Sequence, residues 1–325
     1  MNNLKYYLDE VQQLFEQEQF LAEPQELYAP VDYTLRLGGK RIRPTLLLAA
    51  TALFGGNTTA AHGAALGIET FHNFTLLHDD LMDRSPLRRG QPTVYRKWNE
   101  NTAILSGDTM YALSWRYFLR QPAPRQLDIL RCFAETAIGV CEGQQYDMNF
   151  EHQPNVTLDQ YLSMIRLKTA ILLAAALKIG ALYTNAPDNE IEHLYNFGIH
   201  LGLAFQLQDD LLDGYGDTAV FGKKTGQDIR DNKKTFLPLT ALTLCNPEQA
   251  ARLHHLFSNN NTCNEEEKVR NVMDIYNAVG LRPIVEQAID NEFQKACQCL
   301  DALNAPEDGK APLRELLATL AGRKK

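Results

Sequence analysis

Apolar residues recur at three- and four-residue spacing along almost the whole chain, and we find no convincing apolar and polar alternation bounded by turn residues. The first spacing places apolar side chains on one face of a helix, whereas a half-buried strand needs a period of two. Glycine, proline and asparagine interrupt the pattern, among other places at residues 38–39, 55–57, 122–124, 185–188 and 214–216. These interruptions leave about ten or more helical segments. The sequence therefore predicts an all-α fold.

The 325 residues could form one large domain or two small ones. No interruption is long or low in complexity, and no shift of composition marks a linker, so we expect a single domain over residues 1–325. A chain of this length buries a core without disulfides or a structural metal. The six cysteines contain no C-x-x-C pair, which indicates buried thiols in a reducing compartment.

The balance of charge and the apolar runs exclude several kinds of partner. Lys and Arg number 32 against 40 Asp and Glu, a net charge of -8, whereas a generic nucleic-acid binder has a basic surplus. The longest apolar runs, residues 45–54 and 169–177, are shorter than the roughly 20 residues of a membrane span. The first residues lack the basic and apolar regions of a signal peptide. We therefore expect no nucleic acid, no membrane span and a cytoplasmic location.

Two copies of D-D-x-x-D, each following a mostly apolar helical segment, are the strongest chemical signal. Carboxylates four residues apart repel each other, and anions at the end of a helix oppose its dipole, each effect being worth a few tenths of a kcal/mol to about 1 kcal/mol. Something outside the helix must stabilise them, and Mg²⁺ with water and substrate phosphates fits oxygen ligands of this kind. The six carboxylates belong to Asp79, Asp80, Asp83, Asp209, Asp210 and Asp213.

Other interpretations apply to a single cluster. One D-D-x-x-D alone is more often a solvated helix end, and a carboxylate pair can act as the acid and base of a glycosidase. Two matched triplets favour a metal cluster over both. His72 and Thr75 lie on the same helix face as Asp79 and Asp83, so a ligand contact for His72 competes with the ordinary buried structural histidine.

Basic residues cluster beside both acidic motifs in this net acidic chain. Lys40, Arg41 and Arg43 lie between Gly38-Gly39 and Pro44, where the start of a helix also attracts an anion. Further basic residues follow the aspartates or open an apolar run: Arg88, Arg89, Lys168, Lys223, Lys224, Lys233 and Lys234. This arrangement suggests a diphosphate bound by Mg²⁺ on one side and by Lys or Arg on the other.

These elements together resemble the trans-isoprenyl diphosphate synthases, or polyprenyl synthetases. The matching segments are GGKRIRP at 38–44, HNFTLLHDDLMDRSPLRRGQPT at 72–93, ILSGD at 104–108, GQQYDM at 143–148, KTA at 168–170, GLAFQLQDDLLDGYGD at 202–217 and FGKKTGQDIRDNKKTFL at 221–237. The resemblance implies about ten core helices around a central cavity, usually in a homodimer. It also implies the head-to-tail condensation of isopentenyl diphosphate with an allylic diphosphate, namely dimethylallyl, geranyl or farnesyl diphosphate.

The resemblance also implies a role for each motif residue. Asp79, Asp83 and Asp209 would hold Mg²⁺, about three ions in the family pattern, with Asp80, Asp210 and Asp213 as ligands or anchors. Arg88, Lys168 and Lys223 would neutralise the leaving diphosphate, with Lys233 nearby. Thr169 and Gln206 would stabilise the allylic cation. The isopentenyl diphosphate site would consist of Lys40, Arg43, His72 and Arg89. No Ser, Cys or His nucleophile is required, because the released pyrophosphate can remove the proton.

The residues before the first aspartate suggest a short product, geranylgeranyl (C20) more than farnesyl (C15) diphosphate. In the family the fifth and fourth positions before this aspartate set the chain length, and Phe74 and Thr75 occupy them here. Phe71, one turn deeper, could set a further stop. Aromatic residues at helical spacing are more often ordinary core, and the resemblance alone raises the interpretation above that alternative.

Three other classes of protein share part of this pattern. A terpene cyclase would need neither GGKRIRP nor a second D-D-x-x-D. A head-to-head synthase of the squalene type would carry D-x-x-x-D or D-x-x-E-D motifs. A non-catalytic regulatory subunit would be expected to lack some of the aspartates or arginines. All of these residues are present, which favours an active prenyltransferase.

Overall fold

The computed structural model describes residues 2–216, 225–258 and 261–322, and it confirms the all-α prediction for these ranges. The helices are α1 (Leu4–Gln17), α2 (Gln25–Arg36), α3 (Ile42–Leu53), α4 (His62–Met82), α5 (Val94–Lys97), α6 (Glu100–Phe118), α7 (Gln126–His152), α8 (Leu158–Ile165), α9 (Ile171–Leu182), α10 (Asp188–Tyr215), α11 (Gln227–Arg230), α12 (Phe236–Leu244), α13 (Pro247–Leu256), α14 (Glu265–Ala278), α15 (Leu281–Ala302) and α16 (Glu307–Ala321).

Three shorter elements complete the described regular structure. A 3₁₀ turn covers Thr58–Ala61, and a π-helical segment, Arg166–Ala170, joins α8 to α9. Strands β1 (Leu87–Arg88) and β2 (Gln91–Pro92) form an antiparallel hairpin. In the described ranges, no helix is both long and apolar enough to cross a membrane.

The helix boundaries follow from local chemistry that the sequence displays. Asn3, Asn99 and Asn264 each accept a hydrogen bond from a backbone N–H in the first turn of the helix that follows. Such caps satisfy donors that a helix cannot satisfy itself. The interruptions predicted at residues 38–39, 55–57 and 122–124 fall between helices. The one at 185–188 ends on the first residue of α10, and α10 continues through Gly214 to Tyr215.

The chain divides into two compact units. The first consists of Met1–Ala134, Ala175–Tyr195 and Leu303–Leu316, and the second of Glu135–Ala174, Asn196–Ala302 and Leu317–Lys325. The single domain expected from the sequence therefore stays a prediction.

In the first unit, small residues allow α4 and α6 to approach closely. A Cβ atom at Gly63 would lie 2.6 Å from the carbonyl oxygen of Tyr117, and one at Gly67 would lie 2.9 Å from the ring of Phe118. Phe71 and Phe118 are fully buried. Because α4 carries the first acidic motif, this packing fixes the helix from which that motif projects.

In the second unit, two glycines make room for the π-helical segment Arg166–Ala170. A Cβ atom at Gly143 on α7 would overlap the backbone of Lys168, and one at Gly202 on α10 would lie 2.5 Å from the Cα atom of Ala170. A π-helical turn rotates the side chains that follow it and is frequent at functional sites. Two helices therefore enclose the segment that carries Lys168 and Thr169.

Candidate active site

The first acidic motif lies at the carboxyl end of α4, as the sequence predicts. Asp79 and Asp80 occupy the last turn, and the backbone N–H of Asp83 donates to the carbonyl oxygen of Asp79 at 2.8 Å. Asp83 is exposed and Asp79 is half-buried, whereas Asp80 is only 5% exposed. The three carboxylates of this motif therefore differ in how easily a ligand can reach them.

His78 fixes this end of α4 against α6. Its Nε2 atom lies 3.2 Å from the carbonyl oxygen of Ile104, and a Cβ atom at Gly107 would overlap its ring. Both residues belong to the ILSGD segment, and Ser106 of the same segment donates to the carbonyl oxygen of Leu27 at 3.0 Å. This segment therefore serves to pack α6 against the aspartate end of α4.

The β1–β2 hairpin carries two basic residues, Arg88 and Arg89, and places them beside the first acidic motif. Its two-residue turn, Arg89 and Gly90, has positive φ angles of 53° and 76°, which matches the twist of a tight hairpin. Arg88 Nη2 lies 2.5 Å from Asp80 Oδ1 and 3.7 Å from Asp79 Oδ2. Burial raises the pKa of Asp80, and the hydrogen bonds from Arg88 oppose that increase. Asp80 therefore anchors Arg88 beside Asp79.

The glycine loop before α3 meets the same hairpin. Gly38 and Gly39 have φ angles of 78° and 126°, which favour glycine. The guanidinium of Arg89 donates to the carbonyl oxygen of Gly38, and a Cβ atom at Gly39 would lie 2.6 Å from Arg89 Nη2. Two basic motifs 51 residues apart in sequence are thus in direct contact.

His72 joins this basic cluster as a neutral group. Its Nε2 atom lies 3.0 Å from Arg43 Nη1. Burial, followed by the charges of Arg43 and Arg89, holds the pKa of His72 well below its ordinary value. The uncharged ring therefore accepts a hydrogen bond from Arg43, which assigns the ring proton to Nδ1. The structure places three of the four residues predicted for isopentenyl diphosphate, Arg43, His72 and Arg89, in one cluster.

Lys40 and Arg41, the other two cations of the glycine loop, have different surroundings. Lys40, the fourth predicted residue, is exposed. Arg41 is 4% exposed, and its Nη1 atom lies 2.9 Å from Glu69 Oε1. Arg41, which has a left-handed backbone, is therefore engaged inside the protein, although the sequence places it in the same basic loop as Lys40 and Arg43.

The second acidic motif lies near the carboxyl end of α10, and Asp210 and Asp213 accept hydrogen bonds from other elements of the second unit. Asp210 accepts from the hydroxyl of Tyr161, from Gln206 Nε2 at 3.1 Å and from the backbone N–H of Phe236 at 3.3 Å. Asp213 accepts from the backbone N–H groups of residues 227 and 228, each at 3.1 Å. Asp209 is exposed. As in the first motif, the leading carboxylate is the more accessible of the adjacent pair.

The π-helical segment brings Thr169 and Lys168 to the same unit as this motif. Thr169 Oγ1 donates to Gln206 Oε1 at 3.1 Å, and Gln206 in turn donates to Asp210. Lys168 Nζ lies 2.7 Å from Asp147 Oδ2. A continuous hydrogen-bonded chain therefore runs from Thr169 through Gln206 to the buried carboxylate of Asp210.

The predicted basic residues after the second motif make different contacts. Lys233 Nζ lies 2.7 Å from Glu151 Oε1. Lys234 donates to the carbonyl oxygens of Phe150 and Gln153, at 2.6 and 2.5 Å, and so caps the carboxyl end of α7. Lys223 and Lys224 lie outside the described residues.

The three residues predicted to set the chain length lie on α4 before the first motif. Phe71 is fully buried, and its ring centroid is 5.2 Å from that of Phe133. Phe74 is half-buried and lies 5.5 Å from the ring centroid of Tyr111. Thr75 donates its hydroxyl proton to the carbonyl oxygen of His72 at 2.8 Å. Phe71 and Phe74 thus belong to one aromatic cluster with residues of α6 and α7.

Sequence reasoning assigned no role to Asp228, which lies beside the second motif. With Asp210, Asp213, Lys233 and Tyr276 it lines a cavity of about 10 Å³, roughly the room one water needs. Burial, and then the charges of Asp210 and Asp213, raise the pKa of Asp228 to about 8. Asp228 falls within the segment FGKKTGQDIRD, so its sequence position was visible although its burial was not.

The raised pKa values predict a stability that depends on pH. Burial raises the pKa of Asp210 to about 6, and in the unfolded chain both carboxyls have pKa values of about 4. The folded state therefore holds more protons between about pH 4 and pH 8, and its stability falls as the pH rises through that range. We expect Asp228→Asn to remove much of the fall in Tm between pH 5 and pH 9 in the presence of a chelator. The matched exposed variant Asp274→Asn should leave the fall unchanged; an undiminished fall in Asp228→Asn would contradict this assignment.

The carboxylates of each acidic motif are donors that suit a hard cation. Within the described ranges, no three His, Cys, Asp or Glu side chains form a ready metal cage. Mg²⁺ is usually held by one or two carboxylates and completes its shell with water and substrate phosphates. In the first unit, Asp79 and Asp83 at the end of α4, with Arg88 beside Asp79, fit that mode of binding. In the second unit, the exposed carboxylate of Asp209 offers an oxygen ligand of the same kind.

The chain is similar to several known proteins. The sequence profile described as polyprenyl synthetase matches residues 24–276. The geranylfarnesyl diphosphate synthase of Natronomonas pharaonis is 41% identical over 237 residues, covering 67% of this chain and 70% of that protein. The geranylgeranyl diphosphate synthase of Methanosarcina mazei is 41% identical over 224 residues, covering 68% and 69%. A crystal structure of a geranylgeranyl pyrophosphate synthase, 40% identical, matches with a TM-score of 0.92 over 100% of both chains.

Proposed function

Since the chain belongs to the polyprenyl synthetase family and is a prenyl diphosphate synthase, we propose that it makes geranylgeranyl diphosphate. The family in general depends on Mg²⁺ and acts on isoprenoid diphosphates. The names of two relatives support the C20 product. The observation that carries the assignment of diphosphate substrates is the meeting of Arg43, His72 and Arg89 in one basic cluster, with Arg88 at the first acidic motif. This cluster supplies a site for the diphosphate of isopentenyl diphosphate.

The allylic diphosphate is assigned to the two acidic motifs and their neighbouring cations. Asp79, Asp83 and Asp209 would hold Mg²⁺, about three ions. Asp80, Asp210 and Asp213 would act as further ligands or would anchor the neighbouring side chains. When bound, the metal neutralises charge that develops on the leaving pyrophosphate. Arg88 adds a permanent positive charge, which Asp80 orients through hydrogen bonds from Nε and Nη2 of Arg88. Lys168, Lys223 and Lys233 are assigned the same role.

Thr169 and Gln206 are assigned to the allylic cation that remains after ionisation. Because Gln206 donates its amide N–H to Asp210, the oxygen end of the amide dipole is turned toward Thr169. A fixed oxygen dipole stabilises a nearby positive charge without reorganising. The buried carboxylate of Asp210 thus acts by orienting Gln206.

Isopentenyl diphosphate is assigned to Lys40, Arg43, His72 and Arg89, without a metal. Neutral His72 accepts from Arg43 and so leaves the rest of that guanidinium to donate to phosphate oxygens. Arg89 is held at the glycine loop by the carbonyl oxygen of Gly38. These contacts orient the cations before the substrate arrives.

We further propose a homodimer. Apolar side chains are exposed on α6, where Ile104 is 46% and Leu105 58% exposed. Large apolar side chains grouped on helix surfaces are typical of protein interfaces. A second copy of the chain would cover them.

The product assignment is tested by incubating the protein with Mg²⁺, labelled isopentenyl diphosphate and each allylic primer in turn. With dimethylallyl, geranyl or farnesyl diphosphate as primer, we expect a C20 diphosphate as the main product. A C15 end product, with farnesyl diphosphate left unextended, would instead support a farnesyl diphosphate synthase. Products beyond C20 would likewise contradict the assignment.

The floor of the product site is tested with Phe74→Ala. One helical turn of about 5.4 Å is comparable to one extended isoprene unit, so removing the ring should lengthen the main product by at least one five-carbon unit. Phe20→Ala, which deletes a buried ring packed on Phe15 in the same unit, should leave the product distribution unchanged. An unchanged distribution in Phe74→Ala would move the floor to Phe71 or to another helix.

A further inference from the structure

Glu69 is a buried carboxylate on α4 to which neither the sequence motifs nor the proposed function assigns a role. It lies one turn before His72 and is 2% exposed. Its Oε1 atom accepts from Arg41 Nη1 at 2.9 Å and from Asn73 Nδ2 at 3.2 Å. A carboxylate this deeply buried carries a large desolvation cost, which only close cations and donors can offset.

Arg41, the ion-pair partner of Glu69, links three helices to the glycine loop. Its guanidinium lies 4.2 Å from the ring centroid of Phe15 on α1 and donates to the carbonyl oxygen of Leu35 on α2. Its own carbonyl oxygen accepts from the N–H and the hydroxyl of Thr45, at 3.2 and 2.7 Å. The side chain of Arg41 therefore fixes the end of the glycine loop, and its carbonyl oxygen ties that end to the first turn of α3, where Arg43 lies.

The charge of Glu69 also acts on the two arginines beside His72. Burial lowers the pKa of Arg43 and of Arg89, and in each case the negative charge of Glu69 opposes that decrease. Arg41 and Arg88 in turn lower the pKa of Arg89 by repulsion. A buried negative charge near these guanidinium groups reduces the repulsion that would drive them apart.

We propose that Glu69 is a positioning residue for the isopentenyl diphosphate site, which it organises through Arg41 and through its charge. The inference rests on the proposed function, which assigns Arg43, His72 and Arg89 to that substrate. The proposal also predicts the direction in which binding of isopentenyl diphosphate changes when the charge of Glu69 is removed. A negative charge near an anion site repels the ligand, so removing it would tighten binding by Coulomb interaction alone. If positioning dominates, removing it weakens binding.

The test measures binding of isopentenyl diphosphate to Glu69→Gln by calorimetry without metal. We expect the Kd to rise by at least about tenfold, with the KM for geranyl diphosphate changed less than about twofold. An unchanged or lower Kd for isopentenyl diphosphate in a folded Glu69→Gln variant would overturn the proposal.

Two controls separate positioning from a loss of stability. Glu18→Gln breaks another ion pair of the first unit, with Arg120 at 2.6 Å, and should lower the Tm without changing the Kd. The double variant Arg41→Met with Glu69→Met replaces the buried pair by apolar groups, which commonly preserves stability. It should fold and still bind at least tenfold more weakly; a normal Kd would overturn the proposal even if Glu69→Gln does not fold.

The same experiment distinguishes failure of this inference from failure of the proposed function. If the wild-type protein neither binds nor consumes isopentenyl diphosphate, the proposed function fails, and the inference fails with it. If the wild-type protein binds and Arg43→Ala does not, while Glu69→Gln binds normally, the substrate site stands and the role of Glu69 alone is refuted.

Discussion

Replacing Asp79 or Asp209 by alanine is expected to lower the turnover number by orders of magnitude while leaving the protein folded. These are the first carboxylates of the two acidic motifs. The close contacts of Arg88 and Tyr161 are instead with the second carboxylates, Asp80 and Asp210. Asp79 and Asp209 each lie four residues before another aspartate, so removing either relieves like-charge repulsion, and stability should not fall. The measurement is kcat at saturating substrates and Mg²⁺, with the Tm of each variant.

Variants of exposed aspartates and of the neighbouring Asp210 serve as controls for this test. Asp9 and Asp274 are exposed on α1 and α14, one in each unit, and their alanine variants should turn over normally. Asp210→Ala, in contrast, should lower the Tm as well as kcat, because it leaves the hydroxyl of Tyr161 without its acceptor in a buried position. Near-normal turnover in either Asp79→Ala or Asp209→Ala would contradict the two-motif mechanism.

Replacing Arg43 by alanine is expected to weaken the binding of isopentenyl diphosphate by roughly 10- to 100-fold, because a hydrogen bond between charged groups contributes about 1.5–3 kcal/mol. Binding of the allylic diphosphate should change far less, since that substrate is assigned to the acidic motifs. Calorimetry with each diphosphate measures both constants on the same protein.

The controls for Arg43→Ala come from the same chain. Arg36→Ala removes an exposed arginine that pairs with Asp32 on α2, and both dissociation constants should stay normal. Lys168→Ala should give the opposite selectivity, with weaker binding of the allylic diphosphate. Equal losses for both substrates in Arg43→Ala would show that the two diphosphates do not occupy separate sites.

Local sequence patterns predicted the helical fold and the position of the acidic motifs. The spacing of apolar residues and the Asn and Gly signals operate within a few residues, so they are visible in one dimension. For the same reason the sequence alone placed Asp79 and Asp83 at the end of a helix, which is α4. The resemblance to the polyprenyl synthetases then supplied roles that periodicity alone could not give.

The burial and the hydrogen-bond partners of each aspartate within an acidic motif depend on residues that are distant in sequence. Asp80 and Asp210 have the same sequence context as their neighbours, but Arg88 and Tyr161 reach them from other elements, and Tyr161 is 49 residues from Asp210. Arg41 resembles Arg43 in sequence, yet its φ of 48° turns it toward Glu69. The π-helical turn around Lys168 likewise depends on Gly143 and Gly202, which lie on other helices.

The most direct test of the central claim follows pyrophosphate release from farnesyl diphosphate with and without isopentenyl diphosphate. A chain-elongating prenyl diphosphate synthase should release one pyrophosphate for each isopentenyl diphosphate consumed, give a C20 diphosphate, and stop when a chelator removes Mg²⁺. Release of pyrophosphate that needs no isopentenyl diphosphate, as a terpene cyclase would give, or elongation that persists with the chelator, would contradict the account.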